Sequence, residues 1–293
     1  MKKINVVYWN KPNFGDQLAP YIINKLSGCK IQYKRGPVSF RYNLKEIMIY
    51  VCSFNFEKIR EMLFSWQKNI LSVGSIINLG NKKSLIWGSG FMNSCQKCMG
   101  GKFYAVRGEY TNRKLIRDGL NGCSTFGDPA LLLPLIYHPK KLEKKCNTIG
   151  IVPHFSETEY FKERYSDNFF VIDLNTYDVE KTIDLICSCD YILSTSLHGL
   201  IVSHAYNIPS IWIKKGYIHT DGIKFKDYFS SVGLPLYSGF ENIEKILSSR
   251  KSCLDFILKN IELSLPKKSI SMIQRELLLA APFTLKKYIN ILC

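Results

Sequence analysis

The sequence predicts an α/β protein of two Rossmann-like lobes, each a parallel sheet with flanking helices, facing each other across a cleft. Three observations carry that prediction. Short apolar runs of strand length alternate with amphipathic stretches along most of the chain. The alternation breaks at Pro134–Asn147, where two prolines, Tyr137-His138 and a lysine-rich run read as an interdomain linker, and then restarts. Finally, 46% of the 293 residues are apolar, enough to bury a sizeable core.

In chain order, Ile4–Trp9 reads as a buried strand and Gln17–Leu26 as a helix capped by Asp16, with Pro20 tolerated in the first turn. Glu46–Val51 reads as a strand and Phe56–Gln67 as a helix. Ile70–Val73, Ser84–Trp87 and Phe103–Val106 are strand-like, and Tyr110–Arg117 is a helix ended by Gly119. After the break, Thr148–Val152 and Phe169–Leu174 are strands, and Val179–Cys187 is a helix. Strand Tyr191–Ser194, helix Leu200–Tyr206 and strand Ser210–Ile213 follow, then helices Ile223–Ser231 and Asn242–Ser249. The pattern divides the chain into a first lobe (1–140), a second lobe (148–250) and a helical segment (251–293). That segment spaces Ile270, Ile273 and Leu277 helically among Lys267, Lys268, Arg275, Lys286 and Lys287. Such a helix either packs back on the first lobe or lies on a membrane surface.

The chain carries 40 Lys and Arg against 24 Asp and Glu, a formal charge of +16. That excess calls for an anionic partner: nucleic acid, an acidic membrane or a phosphorylated substrate. The lysines are scattered rather than gathered in a stripe with aromatics, which argues against nucleic acid. Several of the ten cysteines, such as Cys52, Cys187 and Cys189, sit inside apolar runs, and Met1–Asn10 has no signal-peptide core. Reduced thiols and a cytoplasmic location are expected. The best membrane-span candidate, Tyr191–Ile213, is interrupted by His198, His204, Asn207 and Pro209. Cys95-Gln96-Lys97-Cys98 lacks a second pair, and no Asp-x-Asp occurs, so no metal site and no cofactor are expected.

Three segments combine a strand's carboxyl end with reactive or anion-binding residues. Asn13-Phe14-Gly15-Asp16 follows the first strand and opens a helix, whose free N–H groups suit an anion; a simple capped turn is the alternative. Arg107, at the end of Phe103–Val106, can clamp a carboxylate or phosphate, or form a structural ion pair with Glu109 or Asp128. His198, in Ser194-Thr195-Ser196-Leu197-His198-Gly199, stands at a helix N-terminus beside hydroxyls, fit for proton transfer or phosphate contact, with a core histidine as the alternative. His154 follows a strand and Gly88-Ser89-Gly90 reads as a close-approach loop.

Together, Asn13-Phe14-Gly15-Asp16 with Leu18 and Pro20, Gly88-Ser89-Gly90, Val106-Arg107-Gly108-Glu109, Phe126-Gly127-Asp128-Pro129-Ala130 and Ser196-Leu197-His198-Gly199-Leu200-Ile201 occur in an order that resembles the polysaccharide pyruvyl transferase family. The resemblance runs from about Tyr8 to Gly233. It implies a glycosyltransferase-B-like fold, an acceptor-side first lobe and a donor-side second lobe. It further implies phosphoenolpyruvate as donor and a cyclic pyruvate ketal on a sugar of a bacterial surface-polysaccharide precursor (capsule or exopolysaccharide), carried on an undecaprenyl-linked oligosaccharide. The enzyme would then be cytoplasmic, and peripheral at an anionic membrane surface. The resemblance matches the family's important arginine and histidine to Arg107 and His198, and the ketal chemistry adds Asp16 or Asp128 to orient or deprotonate a hydroxyl. His198, Arg107 and Asp16 are thus the expected catalytic residues. Asn13, Phe14, Gly15, Gly88, Ser89, Gly90, Asp128, His154, Ser196, Leu197 and Gly199 are expected to bind substrate. Two rival readings share parts of the pattern: a glycosyltransferase of the same fold using a nucleotide sugar, and a basic nucleic-acid-binding protein.

Overall fold

The computed structural model describes residues 2–36, 40–62, 67–140, 148–216 and 220–286. In the first lobe, β1 (Lys3–Val7), β2 (Lys30–Lys34), β3 (Asn69–Leu71), β4 (Ser84–Trp87) and β5 (Lys102–Ala105) form a parallel sheet in the order β2-β1-β3-β4-β5. In the second, β6 (Ile149–Val152), β7 (Phe170–Val171), β8 (Tyr191–Ser194) and β9 (Ser210–Trp212) form another, in the order β7-β6-β8-β9. Strands such as β4 and β6 are buried along their whole length, as sheets covered by helices on both faces require.

Helix α1 (Phe14–Ser27) starts earlier than the sequence suggests. Its cap is Asn13, whose side chain accepts the Asp16 N–H, because Phe14 is drawn into the core and already belongs to the helix. Asp16 is therefore a first-turn residue, Pro20 lies inside the helix, and Gly28 ends it in the left-handed region (φ 71°).

The expected strand Glu46–Val51 is instead part of helix α2 (Phe40–Cys52). Its apolar residues imitate a strand, yet Met48, Ile49 and Val51 are exposed, so no second sheet face covers them. The edge strand beside β1 is β2, whose alternating KIQYK composition hides it from an apolar-run search. Helix α3 spans Phe56–Met62, and the rest of the expected helix Phe56–Gln67 falls largely outside the described residues. Helix α4 (Glu109–Arg117) closes the first lobe.

The second lobe's helices are α5 (Thr158–Tyr165), α6 (Val179–Cys187), α7 (Leu197–Ala205), α8 (Ile223–Val232), α9 (Ile243–Ile246) and α10 (Arg250–Lys259). Polar composition conceals α5, and α10 follows the last expected helix directly, so neither stands out in the sequence.

Pro134 does not begin a linker. It sits in a buried 3-10 helix, Pro129–Leu135, packed between α1 and α7. Residues 141–147 of the expected linker lie outside the described residues. One continuous core runs from Val6 and Leu18 through Leu131 and Leu133 to Leu197, Leu200 and Tyr228, so the two sheets share an interior. Helix α11 (Ile270–Leu279) packs on that 3-10 helix: Gln274 donates to the Leu131 carbonyl (2.7 Å), and the Trp87 indole donates to the Leu277 carbonyl (2.9 Å). Lys287 lies outside the described residues. Among the described residues no helix is long and apolar enough to cross a membrane.

Candidate functional site

Strand order dictates where a ligand fits. In each sheet the connections run to opposite sides of the first strand, which leaves a crevice beyond the carboxyl ends of β1 and β3 in one lobe and of β6 and β8 in the other. The two crevices open on a single cavity of about 290 Å³. Trp9, Asn13 and Asp16 line it after β1, and Gly74, Ser75 and Ile76 after β3. His154 and Phe155 enter after β6, and Ser196, Leu197 and His198 after β8. Lys224 reaches in from α8.

Two helix N-termini converge here, those of α1 and α7, each bringing the positive end of its dipole. Ser196 occupies the cap position of α7 but its side chain does not cap the helix. Lys224, only 5% exposed, adds an ammonium. Burial, with the Arg107 charge nearby, lowers its pKa to about 8, against the pull of Glu157. Asp16 is pushed the other way. Burial raises its carboxyl to about 7, although the Trp9 backbone N–H hydrogen bonds to it.

His198 is held by both lobes. Its ring lies against Gly15 of α1, where a Cβ would come 2.1 Å from Nδ1. Its Nε2 is buried with no hydrogen-bond partner among the described residues. Burial first, then the charges of Lys224 and Arg107 and the nearby His154, depress its pKa to about 3. The imidazole is therefore neutral at physiological pH and does not titrate between pH 5 and 8. His204, further along α7, is the satisfied core histidine: Nδ1 meets the Tyr228 hydroxyl (2.9 Å) and Nε2 the Ser210 carbonyl (3.3 Å).

Among the other expected residues, Asn13, Ser196, Leu197 and His154 line the cavity, and Gly15 backs it. His154 is fixed by its N–H to Thr195 Oγ1 (2.7 Å) and by Nδ1 against Ser156 Oγ (2.8 Å). Phe14 is a core residue, and its N–H bonds the Leu174 carbonyl.

Arg107 is not in the cavity wall. It is fully buried, with Nε on Asp227 (3.0 Å), Nη1 on Ser75 Oγ (2.6 Å) and Nη2 on the Phe91 carbonyl (2.7 Å). Its partner comes from α8, far away in sequence, and not from Glu109 or Asp128. Glu109 pairs with Arg113 on the surface of α4. Arg107 thus acts on the cavity through Ser75, which it holds in place.

Asp128 is also withdrawn from the cavity. It caps the 3-10 helix by accepting the Ala130 N–H (2.9 Å), and burial raises its carboxyl to about 6. Gly88 (φ 89°) packs against Pro129, Gly90 against the Arg107 guanidinium, and Gly199 against Ser194 and Val152. Ser89 Oγ donates to the Gly74 carbonyl (2.9 Å), steadying the β3 turn. These residues support the wall rather than form it.

Lys224 and the turn Gly74–Ser75 were missed from sequence. A glycine-serine pair after strand β3 is the signal that marks the turn. Lys224 has no local signal, since its neighbours are ordinary amphipathic helix.

The geometry defines a two-lobed α/β protein with a cavity between its lobes, where a buried ammonium and two helix N-termini meet. The chain belongs to the polysaccharide pyruvyl transferase family, whose model matches residues 13–214. An uncharacterized protein, L143, of Acanthamoeba polyphaga mimivirus is 31% identical over 172 residues, covering 55% of this chain and 59% of that protein. The match thus spans under two thirds of the relative's length. The glycosyltransferase SnogD from Streptomyces nogalater aligns over 96% of this chain and 100% of its own, with a TM-score of 0.34 and 12% identity.

Proposed function

We propose that this protein transfers the pyruvyl group of phosphoenolpyruvate to a pair of hydroxyls on a hexose of a surface-polysaccharide precursor, closing a cyclic ketal and releasing phosphate. One observation carries the reading: a buried ammonium, Lys224, shares a cavity with His198, whose Nε2 has no partner among the described residues, where two helix N-termini meet. Such a site fits a small ligand with two anionic ends, as a carboxylate and a phosphate provide.

In the reaction, protonation of the methylene carbon makes C2 electrophilic and a sugar hydroxyl adds there. The second hydroxyl then displaces phosphate at C2. One hydroxyl proton balances the one placed on the methylene, and the other leaves with phosphate. Asp16, whose carboxyl burial raises to about 7, suits the proton transfers near neutral pH. His198, neutral, suits hydrogen bonding from Nε2 to the donor's phosphate, where it stabilises departing charge. Lys224 neutralises the donor, and Arg107 keeps Ser75 and the β3 turn in register.

In this reading the acceptor is a lipid-linked, undecaprenyl-type oligosaccharide, met at the cytoplasmic face of the membrane. The test is to incubate the protein with phosphoenolpyruvate and lipid-linked glycans and follow phosphate release together with a pyruvyl mass increment. Wild type should give both, in equal amounts. His198→Leu should lose roughly 10²–10³-fold in turnover, the usual loss for one oxyanion donor. Nucleotide release from a sugar nucleotide, without phosphoenolpyruvate consumption, would refute the reading in favour of a glycosyltransferase.

A further inference from the structure

A second cavity, of about 430 Å³, opens on the first lobe beyond the carboxyl ends of β1 and β2. Trp9 and Ile76 line both this cavity and the reaction cavity, so the two are neighbours divided by one side-chain wall. Nothing in the reaction described above uses it.

The lining is aromatic. Tyr8 and Tyr33 meet edge to face at 5.1 Å, and Tyr50 of α2 and Trp9 add two more rings. Trp9 is 42% exposed, although it is a large apolar group at the end of a buried strand. Its other side leans on Phe155 of the second lobe (5.6 Å). Burial raises the Tyr8 and Tyr33 phenols above their usual range, so both remain neutral hydroxyl donors.

The wall also carries Lys11, Arg35, Lys58 and Glu61. Lys58 bonds Glu61 (3.0 Å), and Arg35 bonds Glu46. Arg35 and Lys58 thus each have a carboxylate partner, and Lys11 lies over the Trp9 ring (5.6 Å). Aromatic faces edged by hydroxyls and charged hydrogen-bonding groups match a ring with C–H faces and a polar rim. Its volume also falls in the range of small-molecule sites.

We propose that this cavity is the seat of the acceptor's hexose ring, with Trp9 as the partition past which its hydroxyls reach the donor in the adjoining cavity. This rests on the pyruvyl-transfer reading and adds the place and chemistry of its acceptor.

Saturation-transfer NMR tests it, with the methyl glycosides of galactose, glucose and mannose as one set of probes and phosphoenolpyruvate as another. The wild type should bind at least one hexoside. Tyr33→Ala and Tyr50→Ala should each weaken that binding roughly tenfold, the scale of one lost aromatic contact, and leave phosphoenolpyruvate binding intact. Tyr33→Phe, which keeps the ring, should retain most of the affinity. Should Tyr33→Ala fail to fold, Tyr50→Ala on α2 gives the answer. Phosphoenolpyruvate binding with no hexoside binding, or hexoside binding indifferent to the aromatic substitutions, overturns the acceptor seat and spares the donor reading. Tyr50-dependent hexoside binding with no phosphoenolpyruvate binding sinks the donor reading and leaves the sugar site standing.

Discussion

His198 and His204 share one helix and opposite fates. His204 has both ring nitrogens engaged inside the core, whereas His198 lines the cavity and its buried Nε2 has no partner among the described residues. Both are held neutral by burial, His204 at about 4 and His198 at about 3. The pH dependence of a reaction in this cavity then belongs to Asp16 and Lys224. Lys224 is charged below about pH 8 and loses its proton as pH rises through that value, removing the cation that the proposed function assigns to the donor. We therefore expect kcat/KM for phosphoenolpyruvate to fall on the alkaline side. Lys224→Arg should remove the Lys224 part of that fall, since a guanidinium stays protonated. Lys224→Met should weaken donor binding by ~2–5 kcal/mol below about pH 8, where wild type carries the ammonium, and by progressively less above it. A wild-type donor affinity in the Met variant would place the donor elsewhere.

At the scale of elements, the site is two strand-to-helix turns pressed together. Helix α1 brings Asp16 and α7 brings His198, and Gly15 lets the two helices approach. Gly15 makes helix and activity respond in opposite ways. By propensity, Gly15→Ala should favour α1 by ~1 kcal/mol. Its methyl would stand 2.1 Å from the His198 ring, which must move aside. The expected outcome is a folded variant with most of its turnover lost, checked by thermal melting beside the phosphate-release assay. Full activity in Gly15→Ala would show that the imidazole position is not critical.

Taken as a whole, the molecule is welded across its lobes rather than hinged on a thread. The shared core through the 3-10 helix Pro129–Leu135 is one weld. The other is Asp227 of α8. It takes Arg107 Nε and the Thr111 hydroxyl on Oδ2 and the Thr111 N–H on Oδ1, all with both charged side chains fully buried. Gly108 permits this approach, since a Cβ there would meet the Asp227 carbonyl at 1.8 Å. A buried pair of this kind adds little net stability, but breaking it strands a charge. Asp227→Asn should cost ~3–5 kcal/mol in urea unfolding. A loss below ~1 kcal/mol, the scale of an exposed pair, would show that Arg107 finds solvent and that the weld is weaker than its geometry.

Much of this was legible in the sequence because it is local. Period and turn chemistry identified β1, β4, α6 and β8 close to their observed bounds, and with them the turns that carry Asp16 and His198. Patterns that local chemistry shares between states misled. Apolar residues made α2 look like a strand, and polar alternation hid β2. What only the tertiary structure decided is pairing over distance. Arg107 was legible as an arginine at the end of a buried strand, facing the cleft, but its carboxylate, Asp227, arrives from the other half of the chain and holds it outside the cavity wall. Lys224 looks like any helix lysine until α8 is laid across the cleft, and the pKa of His198 is set by burial that no local pattern encodes. Backbone preference acts over a few residues and is written in order along the chain. Electrostatic neighbours and desolvation act through space, and only the folded arrangement specifies them.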